Sequence, residues 1–156
     1  MVGAVGNARL AVGLSTIVAV AGCSSPAAAE DFHHSIELNA AQKLIFYNYA
    51  LALSAIGRRD DAIQQYVYIL RLDPLFVPAY SNLGLLYMHK KDFPNAIANF
   101  ETVLRSDPNQ TTAHLNLARI YMQTGNRALA RDHVSKVLSV SPDNQEAAAL
   151  WRELGS

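Results

Sequence analysis

The sequence repeats itself with a period of 34 residues. Prolines mark this period at Pro74, Pro108 and Pro142. Six further columns of like residues keep the same spacing, and each is small, aromatic or aliphatic in all three copies: Ala50/Gly84/Ala118, Leu53/Tyr87/Tyr121, Ala62/Ala96/Ala130, Tyr66/Phe100/Val134, Ile69/Val103/Val137 and Leu70/Leu104/Leu138. A fixed period of this length indicates a stack of similar units, each of which buries its apolar face against its neighbours.

Each copy is predicted to be a pair of antiparallel helices. The two small columns lie twelve residues apart, so a small residue on each helix lets the two backbones approach closely. Midway between them stand Gly57, Lys91 and Gly125, where a residue able to take positive φ would end the first helix. The prolines cannot continue a helix and therefore end the second one.

These columns resemble the tetratricopeptide repeat, whose motif places small, aromatic, small, aromatic and proline positions in this order. The match covers residues 40–144 and is best in the second copy, from Tyr80 to Pro108. The resemblance implies an all-α solenoid of three helix-turn-helix repeats with a C-terminal capping helix. We expect the following boundaries: a domain over 39–154, repeats at about 43–76, 77–110 and 111–144, and a cap helix at 145–154. Asn39, with Gln42 three residues later, is predicted to cap the first helix.

The first 22 residues have the pattern of a secretory signal peptide. Arg9 precedes an uncharged, mostly apolar run from Leu10 to Ala21. The run is too short to span a bilayer comfortably, and its glycines disfavour a buried helix. We therefore expect export from a bacterial cytoplasm.

The end of this segment resembles the lipobox of bacterial lipoproteins. Val20-Ala21-Gly22 precede Cys23, the residue that such proteins acylate (with palmitate and related chains) and expose as the new N-terminus. The resemblance implies lipidation at Cys23, and Ser24 after it implies an outer-membrane anchor on the periplasmic side. Cleavage after Ala29, at an ordinary small-x-small site, is the alternative, and it would release a soluble periplasmic protein. Residues 23–38 are expected to be a lipidated N-terminus and flexible tether.

Charge and motif content argue against several other functions. Thirteen basic and thirteen acidic residues cancel, which disfavours nucleic-acid binding. A single cysteine excludes an internal disulfide and a thiolate zinc site. Glu30, Asp31, His33 and His34 cluster, but nothing completes a coordination shell, so no metal is expected.

No catalytic motif is present either. The sequence has no phosphate-binding glycine loop, no His-Glu-x-x-His and no Gly-x-Ser-x-Gly. His89, His114 and His133 are predicted to lie on different helical faces, without a base or nucleophile partner. Arg127 and Arg131 replace apolar residues of the repeat motif and are expected to face solvent. We expect no enzymatic activity and no cofactor.

The family resemblance implies a binding groove on the concave face, lined by the first helix of each pair. Asn48, Asn82 and Asn116 share one column, and in the family this asparagine can bond the backbone of an extended peptide. A tolerated polar residue on a solvated face is the alternative. The predicted lining around it is apolar and aromatic with little positive charge: Leu44, Tyr47, Leu51, Leu85, Met88, His89, Leu115, Arg119 and Met122. Relatives that clamp chaperone tails have lysine and asparagine in place of Tyr47 and Leu51, so an apolar or aromatic segment is the expected ligand.

One inter-repeat loop, Leu75-Phe76-Val77, is apolar where the matching stretches are polar. It is either a second contact surface or a seat for Phe32 and Ile36, and we favour the seat.

These features predict an envelope-anchored adaptor that binds a protein or peptide partner. Similar repeat lipoproteins act in pilus assembly, in secretion or in scaffolding cell-wall enzymes, and pilus assembly is our first expectation. The alternatives are a soluble periplasmic chaperone-like factor and a regulatory subunit of a cell-wall enzyme. Because three repeats are near the minimum for a stable stack, a homodimer is a further expectation.

Overall fold

A computed structural model describes the backbone of residues 26–155 and the side chains of residues 40–155. The signal segment and Cys23 lie outside these residues. Within them the chain is entirely helical, which confirms the predicted all-α solenoid. The helices are α1 (Pro26–Ala55), α2 (Arg59–Leu72), α3 (Val77–His89), α4 (Phe93–Ser106), α5 (Thr111–Gln123), α6 (Arg127–Val140) and α7 (Gln145–Gly155).

Successive helices pack against each other from α2 to α7. The second helix of one pair covers the first helix of the next, so the apolar core runs through Glu37–Ser156 as one compact unit. At its C-terminal end α7 buries Ala147 and Leu154 against α6. The Asn144 side chain caps α7 by accepting a bond from the Ala147 amide at 2.9 Å. No helix within residues 26–155 has the length and apolar content needed to cross a membrane.

The turn inside each pair has the backbone predicted for it. Gly57 and Gly125 have φ of 80° and 81°, and Lys91 takes the same left-handed region at 59°. The residue after each of them donates its amide to a carbonyl five positions earlier, on Leu53, Tyr87 or Tyr121. This bond satisfies a carbonyl at the helix end, so the column at 53/87/121 serves both the core and the turn.

The small columns allow the close approach that the sequence predicts. Ala50, Ala62, Ala96, Ala118 and Ala130 are fully buried. The tightest place is Gly84, where an added Cβ would lie 2.7 Å from Cε1 of Phe100. A methyl group would fit there only if the Phe100 ring shifted.

The start of the first helix differs from the prediction. The helix α1 begins at Pro26, so Asn39 does not open it, and residues 26–38 are helical where we expected a flexible tether. Proline is favoured at the first helical position, and the alanines that follow it are the strongest helix formers. The absence of an apolar period, on which the tether prediction rested, excludes a buried face but does not exclude a helix.

Candidate functional site

Three clefts lie in a row along the first helices of the pairs. The first cleft, about 210 Å³, lies between the α1–α2 turn and α3, and Leu85 separates it from a second cleft of about 80 Å³ between α3 and α5. The third, about 330 Å³, lies between α5, the start of α6, and α7. We call this row the groove. It contains six of the predicted lining residues: Asn82, Leu85, His89, Asn116, Arg119 and Met122.

The residues predicted on α1 extend the same face. Because the repeat is 34 residues, Asn48 corresponds to Asn82, and Leu51 corresponds to Leu85 and Arg119. Leu44, Asn48 and Leu51 are exposed. They lie at the N-terminal end of the groove and add apolar surface there.

The asparagine column is not uniform. The Asn82 amide donates to the Tyr47 hydroxyl at 3.1 Å and to the Pro78 carbonyl at 3.0 Å. Asn116 is buried, and its carbonyl oxygen accepts a bond from Arg119 at 3.2 Å. Of the three, only Asn48 is exposed. The three amides therefore do not offer a ligand equivalent hydrogen bonds.

The Tyr47 side chain packs in an aromatic cluster. Its ring packs edge-on against Tyr66 and Phe76, with centroids 5.9 and 5.4 Å away. The Lys43 ammonium lies 4.8 Å from the Phe76 ring centre and pairs with Asp73 at 2.5 Å. This hydrogen bond lowers the pKa of Asp73. Helix α1 thus covers Phe76 of the apolar loop, while Leu75 stays exposed. The side chains of Phe32 and Ile36, our predicted cover, lie outside the described residues.

Two predicted lining residues are placed in the core. Leu115 is buried with Ala130 and Val134 of α6. Met88 is partly buried, packs against the core formed by α4 and α5, and lines none of the three clefts. The structure therefore brings neither Leu115 nor Met88 to the three clefts, although Met122, in the same column as Met88, lines the third.

Positive charge at the ends of the groove is greater than predicted. Arg59 lines the first cleft, and Arg119 and Arg127 line the third. Arg119 pairs with the Glu146 carboxylate, and Arg127 donates to the Glu153 carbonyl at 3.0 Å. The sequence could have indicated this charge, because Arg59 and Arg127 occupy the same column, at the first residue of the second helix of a pair. The groove is therefore apolar at its centre and has guanidinium groups at both ends.

The prediction that His114 and His133 lack a partner is wrong. Their Nδ1 atoms lie 2.8 Å apart, and the His133 ring stacks on Tyr121 with centroids 5.6 Å apart. The His114 Nε2 lies 2.9 Å from the Pro108 carbonyl, which can only accept. In the neutral pair His114 therefore carries its proton on Nε2, and His133 donates from Nδ1 to His114.

Burial, and then the neighbouring His114, lowers the pKa of His133 to about 4. The pair therefore connects α5, α6 and the loop at Pro108 through the neutral His133 ring. Within residues 40–155 no three metal-binding side chains come together, so the pair has no further ligand there.

Comparison with known proteins identifies the family. Two tetratricopeptide-repeat models match the chain, one over residues 47–110 and the other over residues 87–154. They overlap in the second repeat and together extend from α1 into α7. The chain belongs to the tetratricopeptide-repeat proteins, and this domain indicates an adaptor for protein–protein interaction.

Individual relatives agree on the fold. A Mycosarcoma maydis protein, small glutamine-rich tetratricopeptide repeat-containing protein 2, is 43% identical over 58 residues, which is 37% of this chain but only 16% of that protein. The first repeat domain of Spaghetti (RPAP3), bound to the HSP90 peptide SRMEEVD, superposes with a TM-score of 0.68 at 20% identity, covering 72% of this chain and 90% of that one.

The second repeat domain of human RPAP3, in complex with the HSP70 peptide SGPTIEEVD, has a TM-score of 0.69 at 15% identity, covering 76% of this chain and 98% of that one. At these identities the solved structures bear on the fold alone.

Proposed function

We propose that this chain is a non-enzymatic adaptor that holds an extended segment of another protein along the groove. The observation that supports this most is the row of three clefts along the first helices, the first two of which share Leu85. The apolar side chains of Leu85 and Met122 would accept apolar or aromatic residues of the segment. Arg119 and Arg127 lie beside Met122, so an acidic residue or a terminal carboxylate would follow the apolar part.

The peptides held by two similar structures fit this order of groups. SRMEEVD and SGPTIEEVD each place Met or Ile before a run of acidic residues. In this chain the corresponding chemistry would be an apolar centre followed by the two arginines of the third cleft. Leu44 and Leu51 add exposed apolar surface at the N-terminal end, in addition to Arg59 of the first cleft, so we expect a preference for apolar residues at the far end of the segment.

The groove can be tested with a peptide of apolar and acidic residues and two matched variants. Leu85→Gln removes apolar surface from the shared wall, and we expect it to weaken binding by about 1–2 kcal/mol, the usual range for an anchor residue. Val140→Gln changes an exposed apolar residue at the end of α6, which lines none of the three clefts, and should leave affinity unchanged. Isothermal titration with both variants measures the difference. Equal affinities in both variants would refute the groove as the binding site.

We further propose that the adaptor is anchored in the bacterial cell envelope through acylated Cys23, on the periplasmic side of the outer membrane. The lipobox-like Val20-Ala21-Gly22-Cys23 supports this anchor. Service to pilus assembly or secretion is the pathway we favour, with scaffolding of cell-wall enzymes as the other envelope role.

Mass spectrometry of the mature N-terminus tests the anchor. An acylated Cys23 supports it, and Cys23→Ser should then abolish the acylated form. A free Glu30 would show cleavage after Ala29, and the protein would be the soluble periplasmic factor instead.

A further inference from the structure

The first helix carries an exposed apolar stripe, which we call the N-terminal face. It consists of Ile45, Tyr49 and Ala52 of α1 and of Ile56, the residue just after the helix, whose amide still donates to the Ala52 carbonyl at 3.1 Å. Their spacings of four, three and four residues place them on one side. Ile45, Tyr49 and Ile56 are 67%, 50% and 70% exposed. Exposed apolar side chains grouped in this way mark an interaction surface rather than ordinary scatter.

The equivalent positions in the other two repeats show what such a stripe packs against. The residues that follow Ile45, Tyr49 and Ala52 by 34 and 68 positions are all buried, with exposures of 0–6%. They are Ala79, Leu83 and Leu86 in α3, and Ala113, Leu117 and Ile120 in α5. In each case they pack against the second helix of the preceding repeat. Lys90 and Thr124, which correspond to Ile56, are exposed. Ile45, Tyr49 and Ala52 therefore form one half of the same inter-repeat joint, whose cover in the other repeats is a helix, and Ile56 extends this apolar surface beyond the joint.

The two ends of the stack differ. At the C-terminal end α7 buries Ala147 and Leu154 and leaves Glu146, Arg152 and Glu153 exposed. A solenoid end that must stay in water needs such a polar cap. The joint at the N-terminal end cannot be completed by this capped C-terminal end, so head-to-tail stacking of copies is not favoured.

We propose that the N-terminal face is an interface between two copies of this chain, in which the two α1 helices pack antiparallel about a twofold axis. In such an interface each residue meets its counterpart in reverse order. Ile45 would lie opposite the partner's Ile56, and Tyr49 opposite the partner's Ala52. The stripe is thus self-complementary when two copies pack antiparallel, because its largest side chain, Tyr49, meets its smallest, Ala52. None of its four residues is charged, so no like charges meet at the axis.

The interface is small. A single stripe on one helix buries less than the roughly 800 Å² per partner of a standard interface, so we expect a reversible dimer with a dissociation constant in the micromolar range. This inference does not depend on the groove, which uses a different side of the first helices.

Disulfide trapping tests the antiparallel arrangement. Two differently tagged full-length copies, both with Cys23→Ser, are expressed together in cells, one carrying Ile45→Cys and the other Ile56→Cys. We expect a disulfide between the two tags. Ile45→Cys paired with itself should not crosslink, because antiparallel packing separates the two positions along the axis. Val140→Cys on both copies is the matched control for an exposed apolar site and should also stay uncrosslinked.

Sedimentation equilibrium of the full-length Cys23→Ser chain, over micromolar to submillimolar concentrations, tests the association itself. Ile45→Lys with Ile56→Lys should raise the dissociation constant at least tenfold while leaving the melting curve of the monomer unchanged, because both residues are exposed. A chain that stays monomeric throughout would overturn the proposal, whether its own N-terminal segment or another protein covers the face. Crosslinking of Ile45→Cys to itself in preference to Ile56→Cys would also overturn it.

Discussion

Replacing Gly84 with alanine tests the packing of the repeat at its tightest point. An ideal Cβ there would lie 2.7, 2.8 and 2.9 Å from Cε1, Cζ and Cδ1 of Phe100. Carbon atoms prefer separations of about 3.5–4.0 Å. Phe100 is 2% exposed and belongs to the core formed by α4 and α5, so its ring can withdraw only by losing core contacts or by entering the second cleft, which it lines.

The magnitude follows from two opposing effects. Overpacking a core costs about 1–3 kcal/mol, whereas alanine in a helix interior gains about 1 kcal/mol over glycine. The difference is about 0–2 kcal/mol, so we expect Gly84→Ala to lower the free energy of unfolding by up to about 2 kcal/mol. In a urea titration followed by circular dichroism at 222 nm, that corresponds to a midpoint lower by up to roughly 1 M, with the slope unchanged.

A second substitution shows whether the ring is the cause. Repeat three pairs Ala118 with Val134 at the same two columns, and both are fully buried. Phe100→Val should therefore make room for the methyl group, so that Gly84→Ala becomes neutral or mildly stabilising in that background. The double-mutant cycle should give a coupling energy of at least 1 kcal/mol. A stabilising Gly84→Ala in the native background, or a coupling energy near zero, would refute the packing argument.

Two further perturbations follow from the structure. Because burial holds the pKa of His133 near 4, the neutral ring stabilises the fold fully above about pH 6.5, and this stability is lost as the pH falls towards 4. Solvent at the half-buried ring reduces the effect, so we expect the free energy of unfolding to be about 1–2 kcal/mol lower at pH 4 than at pH 7. The substitution His133→Asn, which copies Asn99 of repeat two, should remove that part of the pH dependence in urea titrations. Lys91→Gly should raise the free energy of unfolding by about 0.5–1 kcal/mol, because glycine takes the left-handed backbone without strain. Gly125→Ala, at the same column, should lower the free energy of unfolding by about as much. Effects of the same sign at both sites would contradict this.

The fold could be predicted because each column repeats one physical role. Lys91 shows that the role of a column persists even when the residue type changes, since Lys91 takes the left-handed backbone of Gly57 and Gly125 without being glycine. The turn is imposed by the packing of the two helices and by the bond to the Tyr87 carbonyl, and lysine adopts the strained conformation that they require. The start of α1 was not predictable in this way, because residues 26–38 precede the first repeat and have no column to compare with.

The histidine pair shows a signal that was present but overlooked. Tyr80 and His114 share a column, and both bond the carbonyl of the proline six residues earlier, Pro74 at 3.1 Å and Pro108 at 2.9 Å. His114 therefore replaces an aromatic donor of the repeat and is fixed by that bond. Its second contact, to His133, joins two helices and could not be derived from the spacing of one helix alone.

The residues that differ between the three repeats carry the chemistry that distinguishes this chain from an average repeat protein. Arg59, Phe93 and Arg127 occupy one column, yet Phe93 packs into the core while the two arginines line the outer clefts. The first and third clefts lie at equivalent places of the repeat, each beside one of these arginines, whereas Phe93 lines none of the three clefts. The residues that break the period therefore make the outer clefts basic. Under the proposed groove binding, a ligand that suits only the average repeat would bind any tetratricopeptide groove, and selectivity would come from these ends. Exchanging Arg127 for phenylalanine, the residue of repeat two, is thus a sharper change of specificity than removing any residue that the three repeats share.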